Sequence, residues 1–314
     1  MTDIIKLHYP IQNDAEPMQQ VVAMGFFDGV HQGHQSVIRH AKREAEKHHV
    51  PLAVLTYDPH PIVAFKMLTQ PLRYLTPLDQ KIELMSVLGV DRVYVMRFTS
   101  ALAHLSAQQF VDEVLMYLNP VAVVAGFDHL YGPVNTNSDM AHLQNYAGKR
   151  FDAITVPKFS LDDQKIGSSR IRKLLDNGDV DEAAKQLARI HTTTGMVVHG
   201  EARGRELGFP TANIQTPENE WLPGIGIYAV RIEIAGQWLI GMASIGRNVT
   251  FGDNRPVTVE INILNFHNEV YGEAVKVAWY HRLRGEVKFN NAEELIDQLI
   301  KDQTATQQYF ETLE

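Results

Sequence analysis

No cysteine occurs anywhere in the chain. Disulfides, thiolate nucleophiles and zinc–thiolate centres are thereby excluded, and a cytoplasmic location is expected. No apolar run approaches the roughly 20 residues that span a bilayer. The opening Met1-Thr2-Asp3-Ile4-Ile5-Lys6 lacks the basic start and apolar core of a signal peptide. Positive charge is scarce, with 29 Lys and Arg against 37 Asp and Glu and a net charge of −8. That balance argues against a nucleic-acid surface, which is usually basic. It still allows a locally positive site for an anionic small molecule. Internal repeats and low-complexity tracts are missing. So are the Gly-x-x-x-x-Gly-Lys-Ser/Thr phosphate loop and the protein-kinase signature set.

What is present is an ordinary globular composition, 45% hydrophobic and 21% charged over 314 residues. Two domains are expected at that length. The first half is organised around Gly25-Phe-Phe-Asp-Gly-Val-His-Gln-Gly-His-Gln35. Val21-Val-Ala-Met24 before it reads as a buried strand. Val37, Ile38, Ala41 and Ala45 after it share one face of a helix running to about His48. Gly25, Gly29 and Gly33 let backbone approach a ligand closely. The helix entrance, where His31 and His34 stand, offers free N–H groups and a positive dipole end to a phosphate. A His-x-x-His metal half-site and a plain strand-to-helix turn are competing readings.

Further strands are expected at Pro51–Tyr57, Arg92–Arg97, Val121–Ala125 and Ala153–Val156. Between them fall a helix capped by Thr76, with Pro77 in its first position and Gly89 past its end, and an amphipathic helix from about Ser106 to Leu118. This alternation predicts a parallel sheet covered on both faces, with ligands beyond the carboxyl ends of its strands. Gly25–His34, Tyr57–Pro61 and Gly126–Gly132 lie at such ends. Ile166-Gly-Ser-Ser-Arg-Ile-Arg172 opens another helix, and its hydroxyls, amides and arginines suit a polyphosphate. A capped helix with solvated arginines is the alternative.

From His191 the pattern changes to strands, turns and glycines, and the boundary is expected between residues 187 and 188. Strands at Thr194–His199, Gly226–Ile234, Trp238–Ile245, Pro256–Leu264 and Ala274–His281 suggest a small antiparallel barrel. A helix from about Ala292 to Phe310 would cover it with Leu295, Leu299 and Gln303. Gly200-Glu-Ala-Arg-Gly-Arg-Glu-Leu-Gly-Phe-Pro-Thr-Ala-Asn213 is either a glycine-rich flap over phosphates or a mobile hairpin. Thr211 and Asn213 offer oxygen ligands suited to Mg²⁺ bound mainly through nucleotide phosphates. In Val257–Ile263 the alternation sets Thr258, Glu260 and Asn262 on one face, and a solvated barrel position is one reading of Glu260.

His31-Gln-Gly-His34 resembles the His-x-Gly-His motif of nucleotidyltransferases. The longer Gly25–His34 form resembles the adenylyltransferase module of bacterial bifunctional riboflavin kinase/FAD synthetases. Ile166–Arg172 is similar to that family's Ile-Ser-Ser-Thr-x-x-Arg motif, with Gly167 and Ser169 as departures. Gly126–Gly132 is similar to its Gly-x-Asp-Phe-x-Phe-Gly loop, with His129 and Tyr131 replacing aromatics. Gly204–Asn213 resembles the riboflavin kinase motif around Pro-Thr-Ala-Asn, and the likeness runs on to Phe289, with Asn248-Val249 replacing Arg-Pro.

The resemblance implies a Rossmann-like α/β nucleotidyltransferase domain (1–187), then an antiparallel β-barrel kinase domain (188–314) with a C-terminal helix. It implies phosphorylation of riboflavin to FMN and adenylylation of FMN to FAD, with ATP, riboflavin and FMN as substrates and Mg²⁺ as cofactor. Glu260 would be the kinase base, with Thr211 and Asn213 at the metal and Gly204, Gly208 and Pro210 at the nucleotide. His31, His34 and Arg172 would serve adenylyl transfer, with contacts from Gly25, Phe27, Asp28, Gly33, Asp128, Ser168 and Ser169. The expected partners are these small molecules, with no nucleic acid and no membrane. A kinase with a weak or inactive N-terminal half, and a flavin-binding regulatory protein, are the other readings.

Overall fold

The computed structural model describes residues 2–12, 17–133, 136–161, 164–200, 204, 207–247 and 257–313, with backbone alone at 161, 164 and 165. Packing divides the chain into two units, Met1–Ser168 and Ser169–Glu314. The boundary expected at 187/188 falls inside the second.

The first unit is built on strands β1 (Asp3–Leu7), β2 (Gln20–Met24), β3 (Leu52–Asp58), β4 (Arg92–Arg97), β5 (Pro120–Gly126) and β6 (Asp152–Val156). They form one parallel sheet in the order β1-β4-β3-β2-β5-β6. Side chains alternate between two cores, as a period of two requires. Val21, Ala23, Leu52, Val54 and Val93 pack on one face with Ile38 of helix α1 (Gln32–His48) and Met85 of α2 (Leu78–Val87). Val22, Met24, Leu55 and Tyr94 pack on the other with Phe110, Val114 and Leu143. Strand β1 escaped sequence reading because it is a short edge strand with Ile4 half exposed, so it lacks the apolar run of a buried one.

On that second face a short α3 (Ser100–Ala103) precedes α4 (Ala107–Gln109). Ser106 and Gln109 form a reciprocal capping box. The helix expected through Leu118 continues as a π-turn over Phe110–Leu115 and a 3₁₀ turn over Met116–Leu118. Helix α5 (Met140–Ala147), capped by Asp139, and the hairpin β7 (Ser160–Leu161) and β8 (Gln164–Lys165) complete the unit and were not foreseen. Thr76 does not cap α2: Pro77 holds that position, and the Thr76 hydroxyl is engaged elsewhere.

Helix α6 (Ser168–Asp176) starts at the division, and α7 (Val180–Leu187) follows. The second unit then closes a barrel from β9 (His191–Val198), β10 (Ala212–Gln215), β11 (Gly226–Ile234), β12 (Gln237–Gly246), β13 (Thr258–Ile263) and β14 (Ala274–Arg284). Their order is β10-β13-β12-β11-β14-β9. Strand β10, hidden in the glycine- and proline-rich stretch, pairs with both β9 and β13 and closes the ring. Ala235 and Gly236, at φ 49° and 80°, make the two-residue turn from β11 to β12.

Helix α8 (Ala292–Glu311) covers the barrel through Asp302, Thr306 and Phe310 rather than the expected face. The Arg284 guanidinium holds the Asp302 carboxylate through Nε at 3.0 Å and Nη2 at 2.7 Å. Leu295 and Leu299 line a cavity instead.

Candidate active sites

In the first unit, the chain leaving β2 turns sharply into α1. Phe27 is buried at φ 58°, in the left-handed region that costs a non-glycine residue of order 1–3 kcal/mol. Its ring lies over Gly25, where an added Cβ would come within 2.8 Å of it. The Asp28 carboxylate, 2% exposed, accepts from the Thr76 N–H at 3.1 Å, and the Thr76 hydroxyl accepts from the Gly29 N–H at 2.8 Å. The Ser168 hydroxyl donates to the Asp28 carbonyl at 2.8 Å. Phe27 and Asp28 therefore shape the turn with their side chains.

His31 caps α1: its Nδ1 accepts from the His34 N–H at 3.3 Å. A neutral imidazole accepting at Nδ1 carries its proton on Nε2. The two imidazoles stack at 3.6 Å between centroids and 19° between planes, and the Phe27 ring meets His34 edge-on at 5.3 Å. Gly33 keeps this stack compact, since a Cβ there would come within 3.2 Å of the His31 ring. The expected residues Gly25, Phe27, Asp28, His31, Gly33, His34 and Ser168 thus meet at the entrance of α1.

Asp128 is exposed in the loop after β5. Tyr131 of the same loop turns inward, 6% exposed, against Phe110. Burial holds the His129 imidazole down to about 4, so it is neutral. Ser169 and Arg172 belong to the second unit, where Arg172 lies 5.3 Å from the Trp221 ring centroid.

Sequence reading missed Lys81. This α2 lysine is 2% exposed, and its Nζ donates to the Phe26 carbonyl at 2.9 Å and the Thr56 hydroxyl at 3.3 Å. The signal was available, because Lys81 precedes Ile82 and follows Leu78 on the core side of a helix.

In the second unit, a cavity of about 580 Å³ is lined by polar Thr211, Asn213, Ser244, Thr258 and Glu260 and by apolar Leu295, Leu299 and Phe289, among others. Antiparallel register sets Asn213 of β10 and Ser244 of β12 opposite Glu260 of β13, so the three share a face. The Glu260 carboxylate accepts from the Thr211 and Thr258 hydroxyls, each at 3.3 Å. Asn262 donates to the Pro210 carbonyl at 2.8 Å and fixes the segment that carries Thr211. A second cavity of about 370 Å³, with Phe266, His267 and Tyr271 in its wall, also touches Thr211.

Gly200 comes so close to the Asn213 amide that a Cβ would collide with it, and Gly204 is equally close to the Phe209 carbonyl. Gly208 has φ 80° with open space around it. The rest of the glycine-rich stretch, at 201–203 and 205–206, lies outside the described residues, as does 248–256 with its Asn248-Val249 departure.

The two halves match different family models, FAD synthetase over residues 13–170 and riboflavin kinase over residues 187–310. A bifunctional riboflavin kinase/FMN adenylyltransferase of Listeria monocytogenes is 46% identical over 311 residues, covering 99% of both chains. The protein of the same description from Bacillus subtilis is 40% identical over 95% of both. The chain also superposes on a crystal structure described as a macrolide-efflux protein from Streptococcus pneumoniae. That match has a TM-score of 0.88 and 36% identity, over 96% of this chain and 99% of the other. Among the described residues no helix is long and apolar enough to cross a membrane.

Proposed function

This chain belongs to the family of bifunctional riboflavin kinase/FMN adenylyltransferases, and from that premise we propose how its residues divide the two reactions. It is a transferase that phosphorylates riboflavin to FMN and adenylylates FMN to FAD, using ATP in both steps. Both family models match, which favours the two-activity reading over a kinase with an idle N-terminal half and over a regulatory flavin binder.

The observation that carries the kinase assignment is the shared wall. Thr211 borders both cavities, and Glu260 stands beside it in the larger, more apolar one. We place riboflavin in the larger cavity and ATP in the smaller, so that the γ-phosphate and the ribityl 5′-hydroxyl meet at Thr211. Glu260 takes the hydroxyl proton as that oxygen attacks the γ-phosphorus and ADP leaves.

The donors also fit Mg²⁺. Thr211 and Asn213 supply neutral oxygens, and among the described residues no cluster of three or more His, Cys, Asp or Glu could form a metal cage. A hard cation there would draw most of its ligands from phosphate and water. When bound, it would neutralise charge on the ATP phosphates.

For the second reaction, a phosphate oxygen of FMN attacks the α-phosphorus of ATP and pyrophosphate leaves. His31 and His34, at the entrance of a 17-residue helix, stabilise the charge that develops there, with Gly25, Gly33 and Ser168 shaping the site. By resemblance Ser169 and Arg172 serve this reaction, and Asp128 contacts flavin or adenine. A domain boundary at 187/188 and a cytoplasmic location, which the absence of cysteine suits, belong to the same proposal. Incubation with riboflavin, ATP and Mg²⁺, with FMN and FAD separated by chromatography, tests it. FMN without FAD would remove the second assignment, and neither product would remove both.

A further inference from the structure

Lysine is almost never fully buried unless it is paired, yet Lys81 is buried inside the first unit against a carbonyl and a hydroxyl. Its Nζ also lies 4.2 Å from the centroid of the Phe26 ring. A methionine would fill a similar volume without the cost of desolvating a charge. The ammonium instead ties two strand ends together. Phe26 follows β2, Thr56 lies in β3, and the Thr56 hydroxyl donates to the same Phe26 carbonyl at 3.0 Å.

Lys81 has help from the start of its own segment. Thr76 grips Asp28 and Gly29 through the two hydrogen bonds already described. The α2 segment thus holds the turn at Phe26, Asp28 and Gly29. Between those anchors Phe27 is kept at φ 58°. Its ring abuts His34, and His34 stacks on His31. A continuous set of contacts therefore runs from Lys81 through Phe26 and Phe27 to the histidine pair.

We propose that Lys81 is a positioning residue for adenylyl transfer, its ammonium holding the Phe26 carbonyl so that Phe27 fixes the orientation of the stacked His31 and His34. The inference rests on the assignment of adenylyl transfer to the first unit. It also gives that activity a pH dependence. Burial lowers Lys81 to about 8, while the Asp28 and Asp58 carboxylates pull it upward. Loss of the charge weakens a charge-assisted hydrogen bond, so FAD synthesis carries an alkaline limb centred near that value.

The test compares wild type and Lys81→Met, following FAD formation from supplied FMN and FMN formation from riboflavin between pH 6.5 and 9.5. The variant is expected to lose about tenfold or more in kcat for FAD formation at pH 7, the scale on which small misplacements act. KM for ATP should move far less, the alkaline limb should vanish, and FMN formation should be unchanged. The imidazole NMR signals of His31 and His34 should shift in the variant, which reports the geometry without turnover. Thr56→Val, which removes the second grip on the Phe26 carbonyl, should shift the same signals by a smaller amount.

Unaltered imidazole signals together with a wild-type rate in Lys81→Met would overturn the proposal. So would a rate loss accompanied by unfolding of the first unit, which marks Lys81 as structural only. If wild type itself made no FAD, the assignment of adenylyl transfer would fail, and the imidazole signals alone would still decide whether Lys81 orients the pair.

Discussion

The Thr211 hydroxyl donates to the Glu260 carboxylate across 3.3 Å, joining the residue before β10 to the middle of β13. Strand pairing makes this contact possible, because Asn213 and Glu260 are direct partners in the ladder. One carboxylate oxygen faces Thr211 and the other accepts from Thr258. A carboxylate held from both sides points into the cavity with little freedom.

Replacing Glu260 with Gln keeps the shape and removes the base. Riboflavin phosphorylation should fall by about 10²–10⁴-fold, the usual contribution of general-base catalysis. Supplied FMN should still be adenylylated at its normal rate. Assaying both products from one preparation checks this, and undiminished FMN formation would take Glu260 out of the mechanism.

The double variant His31→Ala/His34→Ala should behave in the opposite way. FAD synthesis should be lost, with FMN synthesis near its starting rate, because the stacked pair acts only at the entrance of α1. A transition-metal site would instead show dependence on added metal that Mg²⁺ does not replace. Robust FAD synthesis by the double variant would sink the assignment of the organising stretch.

The proposed boundary at 187/188 meets a different test. In the second unit α6 and α7 pack on the barrel: Trp221 donates to Asp176 at 2.9 Å, and His281 pairs with Asp181 at 3.0 Å. Leu175, Val180, Ala183 and Leu187 are fully buried there. Each large apolar side chain so buried contributes roughly 1.5–3 kcal/mol. Fragment 169–314 should therefore fold and phosphorylate riboflavin, and fragment 188–314 should melt markedly lower. Circular dichroism melts and a kinase assay on both fragments decide it; equal stabilities would show that the two helices add nothing to the barrel.

Acid should weaken the second unit in a defined window. His191 is 1% exposed, its Nε2 donates to the Trp221 carbonyl at 2.7 Å, and burial lowers it from 6.5 to about 4. The unfolded chain takes up its proton first as pH falls. The contribution of neutral His191 is thus complete above pH 6.5 and is lost as pH drops toward 4, by up to about 3 kcal/mol. All three tryptophans, Trp221, Trp238 and Trp279, lie in this unit, so their fluorescence follows its unfolding alone. His191→Gln keeps a donor without a titrating ring and should flatten that slope; an unchanged slope would assign it to other groups.

Local signals made much of the molecule legible. A buried parallel strand is a continuous apolar run, and β2, β3 and β5 were visible as such. The His31–His34 motif and the alternation around Glu260 were visible for the same reason, since each depends only on neighbours in the chain. Edge strand β1 and strand β10 were not, because one is half exposed and the other sits among glycines and proline. Their pairing partners, not their composition, make them strands.

By itself, then, the sequence determined which residue types stand at the ends of its strands, and so the chemistry available there. Tertiary structure decided how those residues are used. Thr76 reads as a helix cap, yet its hydroxyl serves Gly29, because α2 is carried to the turn after β2. The Asp28 carboxylate, expected at a ligand, also accepts a backbone N–H from Thr76 in the folded chain. Lys81 reads as an ordinary helix lysine until its burial against Phe26 and Thr56 is seen. The physical reason is common to all three. A hydrogen bond between residues 25 to 55 positions apart requires both elements to be placed first, and nothing in either local segment specifies the other.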